Sequence, residues 1–345
     1  MLSRHAEACF WIGRDVERAE AIARMVDVHY HRALETFLPK TVEPRGDTEE
    51  APPLAWQSIL AISGSSKRYN ELYETENDRD VLNFFIFDYR NPYSIVSAWC
   101  GARENARSIR ELISSEMWQS VNIFYLELRN WDVDRVMRGS PHEFFQIVKN
   151  ASHLFQGILN RTMIMGETRE WLDTGRFLER ACQTARLLDV KYHDLLPAGA
   201  LPTPGEDRPD ADRSIEPDPF GVGGPLDIHG WSSVLKSVSA FEMFLKTHRD
   251  GIRPASVVDF LVLNAYFPAS VRHCIGRVES CLRRISGSIA DGPVTEPERL
   301  VGRLRADLTY SQPGEIIAAG LHGFLQNVQL RCDSIGVSIN QTYLR

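Results

Sequence analysis

The sequence predicts an all-α protein made by tandem duplication of one helical unit, and three observations lead there. The stretch GRDVERAEAIARMVDVHYH at residues 13–31 returns as GRFLERACQTARLLDVKYH at residues 175–193, with eleven of nineteen positions identical at an offset of 162 and no gap. Apolar residues recur through most of the chain at spacings of three and four, the signature of one buried helix face. Strand signals are almost absent: only residues 84–87 and 121–125 have β character, and both sit in helical surroundings. The expectation is a repeat at 1–165 and a second at 166–345, each of four to six helices, forming a pseudo-twofold bundle.

In chain order, residues 3–38 read as one helix, with Ile12, Val16, Ala19, Ala23, Val26 and Tyr30 on a single stripe until Pro39 ends it. A polar segment with four prolines, residues 39–53, reads as a linker. Helices follow from Trp56 and around residues 79–89. Asn91-Pro92 signals a further start, because Asn can cap and Pro is tolerated at the first helical position. That stretch runs to about Trp131 with a break near Ser114 or Ser120. Ser140-Pro141, with Glu143 three residues after the serine, predicts a helix to about Met165.

The series restarts at Gly166. Residues of about 197–229 are rich in Pro, Gly and Asp and read as a second linker. WSSVL at Trp231 then matches WQSIL at Trp56, and one helical face is predicted through Trp231, Val234, Leu235, Val238, Phe241, Leu245 and His248. Residues 257–271 match residues 81–95, aligning Pro268 with Pro92 and Ser270 with Ser94. Thr295 and Glu298 form another capping-box candidate, and residues 313–343 parallel the helix that starts at Pro141.

Composition narrows the function classes. With 345 residues, 43% hydrophobic and 25% charged, the chain can bury a substantial core. A net charge of -7 argues against a nucleic-acid partner. The charged N-terminus does not resemble a signal peptide, and no apolar run of about 18 residues would span a membrane, so a cytoplasmic protein is expected. The six cysteines show no CxxC and no zinc spacing, and are expected as buried thiols. P-loop, GxGxxG, GxSxG and HExxH motifs are all absent, and no cofactor is implied.

The recurring motif is polar as well as apolar. On a helical wheel at about 100° per residue, Gly13, Arg14, Arg24, Val28 and His31 fall within about 60° of Glu17, opposite the apolar stripe, with Arg18 and Asp27 at its borders. The second copy repeats the polar set as Arg176, Glu179, Arg180, Arg186, Asp189 and His193. Three readings follow. Glu17 and Glu179 could pair with arginines across a helix–helix contact, reciprocally between the halves. The arginines could bind a carboxylate or phosphate through forked donors. Or Glu17 and Glu179 could act as acid or base on a peptide or amide bond. Asp27/His31 and Asp189/His193, at i and i+4, would suit a metal only weakly and fit a surface ion pair or cap more simply. No histidine has Glu three residues before it, as helical di-iron sites require, and no metal site is expected.

The paired GRxxERAxxxARxxDVxYH segments, the opening MLSRxAE, the Asn-Pro-Tyr-Ser and Phe-Pro-Ala-Ser segments and the terminal INQTYL resemble the bacterial Alpha-E family, also called domain of unknown function 403, over essentially the whole chain. The hallmark Glu-Arg pair falls on Glu17-Arg18 and Glu179-Arg180. The resemblance implies a helical domain, commonly duplicated, without an established activity. It also implies association with a circularly permuted ATP-grasp amide ligase, and further with a transglutaminase-like protein and a proteasome-like peptidase. The expectation is a non-catalytic accessory or scaffold protein of a peptide synthesis or modification system. Asp173 stands where the first copy has Trp11, so the lead-in to the motif differs between the halves.

Overall fold

The computed structural model describes residues 1–37, 56–195, 225–288 and 292–344, and every regular element among them is helical. The helices are α1 (Ser3–Phe37), α2 (Gln57–Ile62), α3 (Ser66–Leu72), α4 (Asp78–Ile86), α5 (Ile95–Ser108), α6 (Ser115–Leu128), α7 (Val133–Arg138) and α8 (Pro141–Thr162). They continue with α9 (Glu167–Leu195), α10 (Pro225–Ser237), α11 (Phe241–Thr247), α12 (Pro254–Val258), α13 (Val271–Ser286), α14 (Glu296–Tyr310), α15 (Pro313–Ala319) and α16 (Leu321–Tyr343). A π-helical turn, Asp259–Leu263, extends α12. Each half therefore holds eight described helices rather than four to six. Periodicity merges pieces such as the six-residue α2 and α7 with their neighbours, because so short a segment fills less than two turns of the pattern.

Local chemistry sets most boundaries. The break expected near Ser114 is there: Ser114 caps α6 by accepting from the Met117 amide. The start expected at Asn91-Pro92 lies three residues further on, where Ser94 caps α5 through the Ser97 amide. Asn91 instead builds the preceding turn, accepting from the Tyr93 amide while its Nδ2 donates to the Phe84 carbonyl. Ser270 caps α13 in the same way as Ser94 caps α5. The single face expected from Trp231 to His248 is interrupted between α10 and α11, where Ser239 adopts a left-handed φ of 54°. The linker at 39–53 lies outside the described residues, as does most of that at 197–229. Its last residues are not linker at all, since α10 already begins at Pro225.

Two long helices, α1 and α9, pack against each other at the centre. α1 carries α5 and α8 on its flanks, and α6 closes the gap between those two. α9 carries α13 and α16, closed by α14. The short α2 and α10 each contact both long helices, α2 mainly α9. One continuous core results, anchored by Trp56, Trp99 and Trp171 and by Phe84, Phe144 and Phe244. No described helix is long and apolar enough to cross a membrane. Five of the six cysteines are buried, and Cys100 is partly exposed.

Candidate functional site

The crossing of α1 and α9 is made by the glycine that opens each motif. A Cβ placed on Gly13 would lie 2.1 Å from the Leu172 carbonyl oxygen, and one on Gly175 would lie 2.0 Å from that of Phe10. Only glycine lets the backbones approach so closely. The consequence is that the polar stripes of the two helices face each other instead of solvent. Glu17 and Glu179 are accordingly buried, 6% and 3% exposed, although each sits opposite an apolar stripe that is buried too.

Each motif's Glu meets the other motif's Arg. Arg18 donates from Nε to Glu179 Oε1 at 2.9 Å and from Nη2 to Oε2 at 3.0 Å. Arg180 donates from Nε to Glu17 Oε1 and from Nη2 to Oε2, both at 2.6 Å. Both are two-pronged, charge-assisted pairs of the strong kind. Glu179 has a second arginine partner, because Arg14 Nε adds a bond at 2.8 Å. Burial alone would push the Glu179 carboxyl up, but Arg18 and Arg14 outweigh it and hold the group far below the ordinary carboxylate range. Asp15, 3.4 Å from Arg18 Nη1, shows the opposite balance. For it, burial exceeds the pull of Arg18, and the carboxyl is pushed up to about 7.

Beside the Glu17–Arg180 pair lies a cleft of about 290 Å³ between α1, α9, the end of α10 and the loop 267–269, with α8 at its edge. Its charged lining is Glu17, Glu20, Arg24, His153 and Arg180. Glu20 binds Arg24 at 2.6 Å and accepts from the Ser152 hydroxyl. Burial raises its carboxyl, but hydrogen bonds from His153 and Ser152 together with Arg24 bring it down to about 2. Arg24 also donates to the hydroxyl of Ser239, the strained residue at the end of α10. Strain of about 1 kcal/mol or more in a non-glycine residue persists only where the surroundings enforce it.

The other sequence-derived candidates go elsewhere. Arg176 pairs with Asp173 on its own helix at 2.7 Å, and Arg186 reaches the Cys182 sulfur at 3.7 Å. Asp27 and Asp189 are not surface groups: they are 4% and 6% exposed, and each is met by the neighbouring long helix. Lys149 Nζ lies 2.8 Å from Asp27 and His142 Nδ1 2.9 Å, while His322 Nδ1 lies 2.6 Å from Asp189 and Gln329 donates to it at 3.1 Å. The side chains of His31 and His193 lie outside the described residues. No group of three metal-ligating side chains occurs among the described residues. Sequence reasoning missed Asp15, Glu20, His153 and Ser239. Asp15 and Glu20 were within the motif, at positions where the second copy has Phe177 and Cys182, so the differences between the copies were the signal.

These features define a class: an all-helical protein whose two long central helices exchange Glu-Arg pairs at a glycine crossing. The chain belongs to the Alpha-E family, described as a predicted alpha-helical domain with a conserved ER motif, which matches residues 1–344. No curated protein and no solved structure matches the chain.

Proposed function

We propose that this protein is a non-catalytic accessory or scaffold protein of a bacterial peptide synthesis or modification system, acting in the cytoplasm with a circularly permuted ATP-grasp amide ligase. In this reading, residues 1–165 and 166–345 are tandem copies of one helical unit, related by a pseudo-twofold axis through the glycine crossing. The reciprocal contacts support it: Gly13 faces Leu172 and Arg176, Gly175 faces Phe10 and Arg14, and the equivalent positions Gly13/Gly175, Phe10/Leu172 and Arg14/Arg176 are each 162 residues apart. The partner comes from the family resemblance, which extends to a transglutaminase-like protein and a proteasome-like peptidase.

One observation carries the non-catalytic part. The two glutamates that an enzyme would use are each tied by two hydrogen bonds to an arginine of the other half. A general acid or base needs a pKa near the working pH, and Glu179 stays ionised throughout the neutral range. The alternative, an enzyme acting on peptide or amide bonds, rests on Glu17, which does line the cleft.

The test is reconstitution with a circularly permuted ATP-grasp ligase of the same organism. The protein is expected to co-purify with it and to raise its turnover of amino acids and ATP, and Glu17→Gln is expected to change that turnover only as far as it lowers the melting temperature. Absence of both binding and stimulation would overturn the accessory role. Loss of a turnover step by Glu17→Gln at unchanged stability would favour the enzyme.

A further inference from the structure

We infer that the cleft beside Arg180 binds a small carboxylate carrying an aromatic or apolar group, of the kind presented by a free amino acid or by the C-terminal residue of a peptide. The inference stands apart from any ligase partnership, because it needs only this chain.

The second Glu-Arg pair shows what the site accepts. At Arg18, Nε and Nη2 serve Glu179, while Nη1 faces the Asp15 carboxylate at 3.4 Å and the Tyr93 ring covers the guanidinium at 4.9 Å. At Arg180, Nε and Nη2 serve Glu17 in the same way, but both other groups are replaced. Phe177 stands 162 residues on from Asp15, and Ala269 stands 176 residues on from Tyr93. The latter match is fixed by Pro92 and Pro268 and by the capping serines, Ser94 and Ser270. Nη1 of Arg180 is left with the Pro268 carbonyl at 3.5 Å, the outer limit of a hydrogen bond. The Phe177 ring lies 5.6 Å from the Arg180 guanidinium and gives it an aromatic neighbour, so what this arginine lacks is the carboxylate that Asp15 presents to Nη1 of Arg18, and a ligand carboxylate on that edge would supply it.

The cleft suits such a ligand in size, polarity and rigidity. About 290 Å³ is just below the roughly 300–1,000 Å³ of typical small-molecule sites, a size that suits a single amino-acid residue. Met25, Leu187, Val238 and Phe267 add apolar lining to the charged groups. The loop is tied to α9, since the Thr184 hydroxyl donates to the Ala269 carbonyl at 2.9 Å. Arg24 is likewise held by Ser239, which adopts the left-handed φ of Gly64, the residue 175 positions earlier and matched to it through Trp56 and Trp231. A side chain is thus kept where the other half uses glycine. Charge favours carboxylate over phosphate: Glu17 and Glu20 both line the cleft, and they repel a dianion more than a single carboxylate.

The experiment is calorimetric titration of the full chain with N-acetyl-L-phenylalanine, L-phenylalanine, N-acetyl-L-phenylalaninamide and inorganic phosphate. At least one acid is expected to bind, with the amide at least tenfold weaker. Binding of the acetylated acid assigns a peptide C-terminus, and binding of the free amino acid alone assigns an amino-acid site. Ala269→Tyr, which copies Tyr93, is expected to weaken binding at least tenfold without shifting the melting temperature. If that variant does not fold, Ala269→Leu, which fills part of the same space, takes its place. No binding of either acid at millimolar concentration overturns the inference. So does an amide that binds as well as the acid, phosphate that binds more tightly than the acid, or undiminished affinity in a folded Ala269 variant.

Discussion

Glu179 shows how burial changes what an ion pair does. Arg79 and Asp134 meet at 3.1 Å on the surface, both more than half exposed, and a pair of that kind contributes under about 1 kcal/mol. Glu179 is shared by Arg14 and Arg18 in the interior, so Glu179→Gln leaves Arg14 without its carboxylate and Arg18 with only Asp15, and is expected to lower unfolding free energy by about 3–5 kcal/mol in a urea titration. The pH dependence has two limbs. Glu20, lowered to about 2, contributes stability that is present above its unfolded pKa near 4.5 and is lost as pH falls toward 2. Asp15, raised from 3.8 to about 7, acts in the other direction: its contribution is complete below pH 3.8 and is lost as pH rises through 7. Three units correspond to a few kcal/mol, roughly 4 at most. Asp15→Asn should therefore flatten the decline between pH 4 and 7, measured as melting temperature against pH.

At the scale of elements, the crossing glycines carry the geometry on which the residue chemistry depends. In an ordinary helix interior, Gly→Ala gains up to about 1 kcal/mol. Gly157 in α8, with nothing within 4 Å of its would-be Cβ, should follow that rule. Gly13→Ala should reverse it, because its Cβ would press on the Leu172 carbonyl and force α1 from α9, with a cost of about 2–3 kcal/mol from overpacking. Thermal melts of the two variants side by side check the contrast. The helical nature of α1 and α9 was legible in their periodicity, and so was the pairing of their polar faces as one of three readings. The break at Ser239 was not, because a serine in a left-handed conformation carries no signal of its own in the sequence.

For the whole molecule, the central pair makes the halves interdependent. Fragments 1–165 and 166–345 would each expose one long helix whose polar and apolar faces are both buried in the intact chain. Separately expressed, each is expected to lack a cooperative melt, and mixing the two should restore one, as followed by circular dichroism. A cooperative melt of either fragment alone would show that the interface is dispensable for folding.

Sequence by itself determined the helical class, the family, and the two Glu-Arg motifs, because periodicity and repetition are properties of residue order. Only the tertiary structure decided that each glutamate serves the arginine of the other half, since partners 161 and 163 residues apart are chosen by the helix crossing. It also decided that the two pairs are not equivalent. Asp15 and Tyr93 close one arginine, whereas the other has the Phe177 ring beside it but no matching carboxylate, and with Ala269 in place of Tyr93 it faces a cleft. The identities between the copies fixed the scaffold. Their differences, whose meaning depends on which side chains the folded chain brings to the same place, made the site.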